Sequence, residues 1–371
     1  MYLQGLKLTN FKNYECQTID LSAKLNCFVG ENGVGKTNLL DAIHYLCMCK
    51  SHFSLPDKQV IRHQEDFFRL EGVFQRNQKK ESIVCKYAPK IRKVIERNKL
   101  AYKRFADHIG LLPMIMITPD DTLLITEGSE NRRQFIDVLL VQLDAIYLEH
   151  LMTYNKILQQ RNAFLKSFKH PLEVNYELLE IYSQQLLKPA QYIHEKRQQI
   201  IGQLKPIFQT YYKAISGDKE QVDLKYQSQL LECSFADLLQ ESQEKDTWLQ
   251  RTTKGIHKDD LKLLINGYPV KKFASQGQLK SYLLALKLAQ YELLRQESEV
   301  APLVLLDDIF DKLDKKRVQQ LLELLLERDF GQIFITDTHE NRIVEIVSGL
   351  GTDYKQFQVN NGVATEMQKV D

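Results

Sequence analysis

The sequence predicts an α/β body with a mixed sheet and a β-hairpin subdomain, interrupted by an inserted arm of two long antiparallel helices. Three observations carry this. A short apolar run, "LNCFVG" (25–30), passes through a glycine-rich loop into the helical pattern "TNLLDAIHYLC" (37–47). Two late apolar runs, "APLVLLDD" (301–308) and "GQIFITDTHE" (331–340), read as buried strands. Between them, apolar residues recur in steps of three and four over 129–170 and again from 175 to 211.

Taken in order, Leu6 and Leu8 alternate weakly before the turn-like "NFKNY" and predict edge strands. After the glycine loop, Leu39, Leu40, Ile43, Leu46 and Cys47 fall on one helical face. Residues 68–104 hold "RLEGVFQ", "SIVCKYA" and "KVIERNKLAYK" with polar turns between, the pattern of β-hairpins; "PMIMIT" (113–118) is a further buried strand. The first arm helix is expected from Ser129 to about His170, with Pro171 at the turn. In the return helix Leu179, Tyr182, Leu186, Ala190, Ile193, Arg197, Ile200, Leu204, Ile207 and Tyr211 follow a heptad-like seam. Pro189 and Pro206 are expected to kink or break it. Limbs of about 40 residues span roughly 60 Å. "QVDLKYQ" (221–227) returns to period two and a short helix follows around 235–250. "DLKLLINGYPVKKF" (260–273) reads as a hairpin turning at Asn266-Gly267, ahead of a helix opened by Ser275-Gln276-Gly277-Gln278. "VQQLLELLLER" (318–328) is a helix, and 331–340 is the final strand. The expected domains are 1–118 (head, N-terminal part), 119–250 (helical arm) and 251–371 (head, C-terminal part).

At 371 residues the chain is too long for one ordinary core. Its 43% apolar and 26% charged residues are those of a globular protein, and a net charge of +2 neither demands nor excludes nucleic acid. No run approaches the ~18 apolar residues of a membrane span, and the N-terminus has no apolar signal core, so a cytoplasmic location with no membrane partner is expected. The six cysteines lack paired C-x-x-C spacing and read as reduced, partly buried thiols rather than a metal site.

Gly30-Glu31-Asn32-Gly33-Val34-Gly35-Lys36-Thr37 fits G-x-x-x-x-G-K-[ST] at every position, between a strand and a helix. The glycines let successive N–H groups face one phosphate, Lys36 reaches the β- and γ-phosphates of ATP, and Thr37 offers its hydroxyl to Mg²⁺; Asn38 follows in the first helical turn. Carboxylates are needed at the end of a neighbouring strand. "LVLLDD" supplies them: Asp307 to hold Mg²⁺, Asp308 to polarise the attacking water. Because successive strand residues face opposite sides, a bend after Asp307 is required. The opposing reading of the acidic pair is a helix N-terminus.

These residues, together with "LTNFKNY", "GENGVGKTNLLDAI", "TPDD" followed by "GSENRRQFID", "QRN" (160–162), "GIHKDDLKLLING", "FASQGQLKSYLLALKLAQ" and "LVLLDDIFDKLD", resemble the RecF family, recombination mediators in the SMC-like branch of the ABC-type ATPases. The resemblance covers essentially the whole chain. It implies an ABC-type ATPase head in which Ser275, Gln276 and Gly277 cap an ATP held by the phosphate loop of a second copy, in a head-to-tail dimer. The other reading of Ser275 is a plain helix N-cap. It also implies that "DKLD" (311–314) contacts the partner copy and that His339 senses the γ-phosphate, against the alternative of a surface histidine. Asn32 and Lys12-Asn13 are weaker carry-overs. One departure stands out: Gly255-Ile256-His257-Lys258-Asp259-Asp260 lacks the family's usual Pro and Arg.

By the same resemblance the expected activity is slow, DNA-dependent ATP hydrolysis. A dimer would clamp gapped or junction DNA in recombinational repair, fork maintenance and the SOS response, with RecR-like and RecO-like partners that help load recombinase. Residues 86–104 hold eight Lys or Arg against one Glu, a candidate phosphate surface or a solvated hairpin face. Lys156, Arg161, Lys166 and Lys169 form a second basic group on the arm, read as a solvated helix face. Rival readings are a transporter ATPase, a structural SMC-like protein, whose arms would have to be far longer, and a P-loop kinase, which leaves the SQGQ segment unexplained.

Overall fold

The structure, a computed structural model, describes residues 1–168, 174–217, 220–309, 319, 323–326, 330–340, 342, 343, 345 and 353–368. The fold is mixed α/β with a helical arm, as the sequence predicts. It divides into two compact units: Met1–Asp121 with Gln290–Asp371, and Thr122–Ala289. The segment 251–289, grouped above with the head, therefore packs with the arm.

The first unit opens with β1 (Tyr2–Phe11), β2 (Tyr14–Asp20), β3 (Leu25–Val29) and α1 (Lys36–Met48). The hairpin strands β4 (Phe68–Arg76), β5 (Lys79–Ala88), β6 (Ile91–Arg97) and β7 (Leu100–Ala101) follow, then β8 (Met114–Ile117). One antiparallel sheet runs β2-β1-β4-β5-β6-β7. Of the two opening strands only β2 is an edge; β1, expected at an edge, is paired on both sides. The tight turns Asn77-Gln78 and Asn98-Lys99 both have φ near +50 to +70°, which matches the strand twist and suits Asn at the first position. Helix α1 is buried on nearly every side, not on one face, because it packs against β1, β4 and β5 and also against β8 of a second sheet.

In the second unit the predicted first arm helix is two: α2 (Ser129–Leu143) and α3 (Ala145–Lys166). Asp144 breaks them. It leaves helical geometry and its carboxylate accepts the N–H groups of Ile146 and Tyr147, capping α3. The return helix α4 (Tyr176–Ser216) runs 41 residues straight through both prolines. Each proline frees one carbonyl, on Gln185 and Gly202, and both of those residues are exposed, which lowers the cost of the lost bond. Contacts of Phe164 with Tyr182 and of His150 with Tyr192 make α3 and α4 antiparallel. Their pairing spans the 22 residues of α3, about 33 Å rather than 60 Å. The seam is largely as read, with Leu186, Ala190, Ile193 and Leu204 fully buried and Tyr182 and Ile207 half-buried.

Strand β9 (Val222–Gln227) leads to α5 (Phe235–Glu241) and α6 (Gln243–Leu249), two short helices meeting at Ser242 instead of one. Strands β10 (Asp260–Ile265) and β11 (Tyr268–Pro269) turn at Asn266-Gly267 and join β9 in a three-stranded sheet. Helix α7 (Gln276–Glu297) follows.

The chain returns to the first unit at Gln290, within α7, and continues with β12 (Leu303–Leu306), β13 (Ile333–Asp337), β14 (Tyr354–Asn360) and β15 (Val363–Glu366). The second sheet is β15-β14-β3-β13-β12-β8, parallel except for β15. Residues 331–340 are thus not the last strand. The closing hairpin escaped detection because β14 buries only Phe357 and Val359. "DKLD" (311–314) lies outside the described residues; of the helix expected at 318–328, Gln319 and 323–326 are described and helical. Among the described residues no helix is long and apolar enough to cross a membrane.

Candidate nucleotide site

The parallel register aligns the carboxyl ends of β3, β13 and β12. Val29 lies opposite Asp337, and Leu306 lies opposite Ile335. The phosphate loop, Asp307-Asp308 and His339 therefore all leave the same edge of one sheet, where ligands of such folds bind.

Two glycines of the loop are dictated by close approach. Gly30 sits at φ 150°, and a Cβ there would lie 2.5 Å from the Val359 carbonyl oxygen; Gly35 sits at φ 114°, and its Cβ would run into the Asn13 side chain. Asn13 donates to the Val34 carbonyl at 2.8 Å and accepts from Asn38 at 2.7 Å, while buried Tyr14 donates to the Gly35 carbonyl at 3.0 Å. The loop's carbonyls are thus tied back. The N–H groups of Gly33, Val34, Gly35, Lys36 and Thr37 have no acceptor among the described residues. With the start of α1 behind them they form an anion cradle. Lys36 is buried and folds over the loop, donating to the carbonyls of Gly30 (2.8 Å) and Glu31 (3.0 Å). Glu31, Asn32 and Gly33 form the exposed rim.

Thr37 Oγ1 donates to Asp307 Oδ1 at 2.8 Å, so the hydroxyl and carboxylate assigned to Mg²⁺ already meet. That pair, with phosphate oxygens, fits a small oxygen-seeking cation. The required bend is present: Asp308 has φ 41°, which turns it out of the strand direction. Thr336, at the end of β13, was not anticipated. Its hydroxyl donates to Asp307 Oδ1 at 2.8 Å and accepts the Asp308 N–H at 2.9 Å. Burial pushes the Asp307 carboxyl above its ordinary range; the Thr336 and Thr37 hydroxyls pull it down, and Asp308 pushes it up again. His339 is exposed, and its backbone N–H donates to Asp337 at 3.1 Å.

Ser275 and Gln276 are exposed in the second unit. Ser275 and Gln278 form a capping box: Ser275 Oγ accepts the Gln278 N–H at 3.3 Å and Gln278 Oε1 accepts the Ser275 N–H at 2.6 Å. Capping uses a lone pair of the hydroxyl and leaves its proton for an acceptor outside, so the two readings of Ser275 coexist.

Several motif residues form a buried framework in the second unit instead of a ligand site. Arg197 joins Asp137 (2.9 Å) and Asp259 (3.0 Å), and Tyr226 donates to Asp259 at 2.6 Å. Arg132 makes paired bonds to Asp260, and His257 meets the Tyr154 hydroxyl at 2.8 Å. Arg161, read above as part of a solvated basic face, is 1% exposed and paired with Asp246 at 2.8 Å; Lys169 lies outside the described residues, while Lys156 and Lys166 are exposed. Lys12 is likewise engaged, with buried Asp41 at 2.7 Å.

On the 86–104 hairpins, Lys86, Lys93, Arg97 and Arg104 are neutralised by Glu96, Asp57, Glu81 and Asp107. Lys90, Arg92, Lys99 and Lys103 are exposed with no acidic partner among the described residues. The interleaved Tyr87 and Tyr102 pack on Phe68 and His108. The surface is thus suited to phosphates rather than to stacked bases.

A family model described as "RecF/RecN/SMC N terminal domain" matches residues 2–364. The chain is 46% identical to the "DNA replication and repair protein RecF" of Bacteroides thetaiotaomicron, over 99% of each chain. It is 46% identical to that of Flavobacterium johnsoniae, over 97% of this chain and 100% of the relative. Among solved structures, "recombination mediator protein RecF-ATPrS in RecFOR pathway" superposes with TM-score 0.90 at 28% identity, covering 99% of this chain and 98% of that one. An Smc head domain from Pyrococcus furiosus, at TM-score 0.57 and 16% identity, covering 99% of this chain and 96% of that one, shares the fold. With that family model matching residues 2–364 and relatives 46% identical over nearly the whole chain, this protein belongs to the RecF family.

Proposed function

We propose that the chain is an ATP-gated DNA clamp of recombinational repair and replication. Two copies close head to tail over two ATP molecules, and slow, DNA-stimulated hydrolysis reopens them. The observation that carries this is that the phosphate loop and the capped helix start lie in different units of the chain. The cradle and carboxylates lie in the first unit, and an exposed, pre-capped Ser275 in the second. In this reading the free N–H groups of 33–37 and Lys36 would hold the phosphates, and Thr37 and Asp307 would hold Mg²⁺, which would supply positive charge beside the transferred phosphoryl group. Asp308 orients the attacking water and accepts its proton. Ser275 donates to the γ-phosphate of the opposite copy. Because ATP prefers the closed pair, its binding energy drives dimerisation.

DNA would be met through Lys90, Arg92, Lys99 and Lys103, contacting phosphates without base readout. The RecFOR pathway named for the solved relatives supports RecO-like and RecR-like partners for this chain. Sedimentation without nucleotide, with ADP and with Mg·ATP tests the reading. Dimers are expected only with ATP, accumulating in Asp308→Asn and absent in Ser275→Arg. A protein that stays monomeric while hydrolysing ATP would refute it.

A further inference from the structure

The capping box of Ser275 does not stand alone. Gln278 Nε2 donates to Glu220 Oε1 at 2.7 Å, and the Tyr212 hydroxyl donates to Glu220 Oε2 at 2.7 Å. Tyr212 lies in the last turn of α4, fully buried against Phe208 and against Tyr282 of α7, with ring centroids 6.2 and 5.9 Å away. Tyr282 in turn donates to the Asp223 carbonyl of β9 at 3.0 Å. The start of α7 is therefore held at two points by the root of the long helix. Packing at Tyr282 fixes the helix body. The chain Tyr212–Glu220–Gln278–Ser275 fixes the side chains at its tip. A glutamine has three rotatable bonds, and Glu220 supplies the second of the two hydrogen bonds that hold its amide in the rotamer the capping box needs. The nitrogen end of that amide is engaged by a carboxylate, which forces its oxygen end toward the Ser275 N–H.

We propose that Glu220 is a positioning residue: it clamps Gln278 so that Ser275 presents its hydroxyl outward, and so couples the root of the arm helix α4 to ATP-dependent pairing of two copies. This rests on the shared-site reading above. Losing a charge-assisted bond weakens each composite site roughly tenfold. The symmetric dimer has two such sites, so its dissociation constant rises about a hundredfold.

The test uses the full chain with a slowly hydrolysed ATP analogue. Dimer dissociation constants are measured by sedimentation, and nucleotide affinity is measured at protein concentrations below dimerisation. For Glu220→Ala the expected result is a roughly hundredfold weaker dimer with monomer nucleotide affinity within about twofold of wild type. Glu220→Gln, whose amide can still accept from Gln278 and donate to Tyr212, is expected to restore most of the loss. Tyr212→Phe, which keeps the ring packing, reports on the relay should the alanine variant fold poorly, and is expected to weaken the dimer in the same direction. A Glu220→Ala dimer within about threefold of wild type, while Ser275→Arg abolishes dimerisation, would overturn the relay and leave the shared site standing. Unimpaired dimerisation of Ser275→Arg would overturn both.

Discussion

Replacing Thr336 by Val keeps the shape of a fully buried side chain and removes one hydroxyl. That hydroxyl makes two bonds at the candidate metal position, to Asp307 Oδ1 at 2.8 Å and from the Asp308 N–H at 2.9 Å. A hydrogen bond to a buried charge contributes about 1.5–3 kcal/mol, and an N–H left without a partner costs about 1 kcal/mol more. The change also removes the largest influence that lowers the Asp307 carboxyl, so protons compete for it at higher pH. A loss of about 2 kcal/mol in holding Asp307 corresponds to a roughly 30-fold weaker apparent Mg²⁺ affinity. The assay is a Mg²⁺ titration of ATP hydrolysis at fixed ATP, run between pH 6 and 8, beside nucleotide binding without Mg²⁺. The Mg²⁺ requirement should rise by that order, more at pH 6 than at pH 8, while metal-free nucleotide binding stays within about twofold. An unchanged Mg²⁺ requirement would refute the role given to Thr336 and, with it, to Asp307.

Truncating Arg161 to Ala leaves the buried Asp246 carboxylate without its cation and should cost about 3–5 kcal/mol in denaturant unfolding of the second unit, with nucleotide binding by the first unit retained. Glutamate at Lys90, Arg92, Lys99 and Lys103 should lower the slope of log affinity for duplex DNA against log salt by about four, without changing ATP-dependent dimerisation. Acid should destabilise the fold early. Burial pushes His44 down to about 3 and His257 down to about 4. Both folded values lie below the ordinary ~6.5, so the unfolded chain takes up protons first. Their contribution is complete above ~6.5 and is lost as pH falls towards the folded values, roughly 2 kcal/mol per histidine by pH 5. Asp307, raised by burial, runs the opposite way: its contribution is present at low pH and lost as pH rises through its folded value. Unfolding midpoints of wild type and His257→Gln between pH 7 and 5 check this, the variant showing the shallower fall.

What the sequence revealed and what it hid follow from physical causes. The strands beside the site were legible because they are short, apolar on both faces and end in glycine or aspartate; β3, β12 and β13 are buried along their whole length. The Asn266-Gly267 turn was legible, whereas Asn361-Gly362, between two strands that bury few side chains, was not. The break at Asp144 was not, because the apolar period passes through it unchanged and only the cap bonds mark it. Pro189 and Pro206 misled because the cost of a proline depends on where the freed carbonyl points, which sequence does not say. Arg161 read as a surface charge, since nothing local to it announces the partner that buries it, 85 residues away. Thr336 became visible only through the parallel register that sets β13 beside β12.

The central claim, that each ATP site is shared by two copies, is tested most directly by mixing two disabled variants. Lys36→Ala loses the phosphate lysine and Ser275→Arg blocks the capping helix, so each alone should be inactive. A mixed dimer contains one site built from the intact cradle of one copy and the intact Ser275 of the other. One intact site of two in each mixed dimer predicts recovery of up to about half of wild-type hydrolysis, rising and falling with the mixing ratio. Hydrolysis no greater than the sum of the two variants at every ratio, with mixed dimers shown to form, would contradict the account.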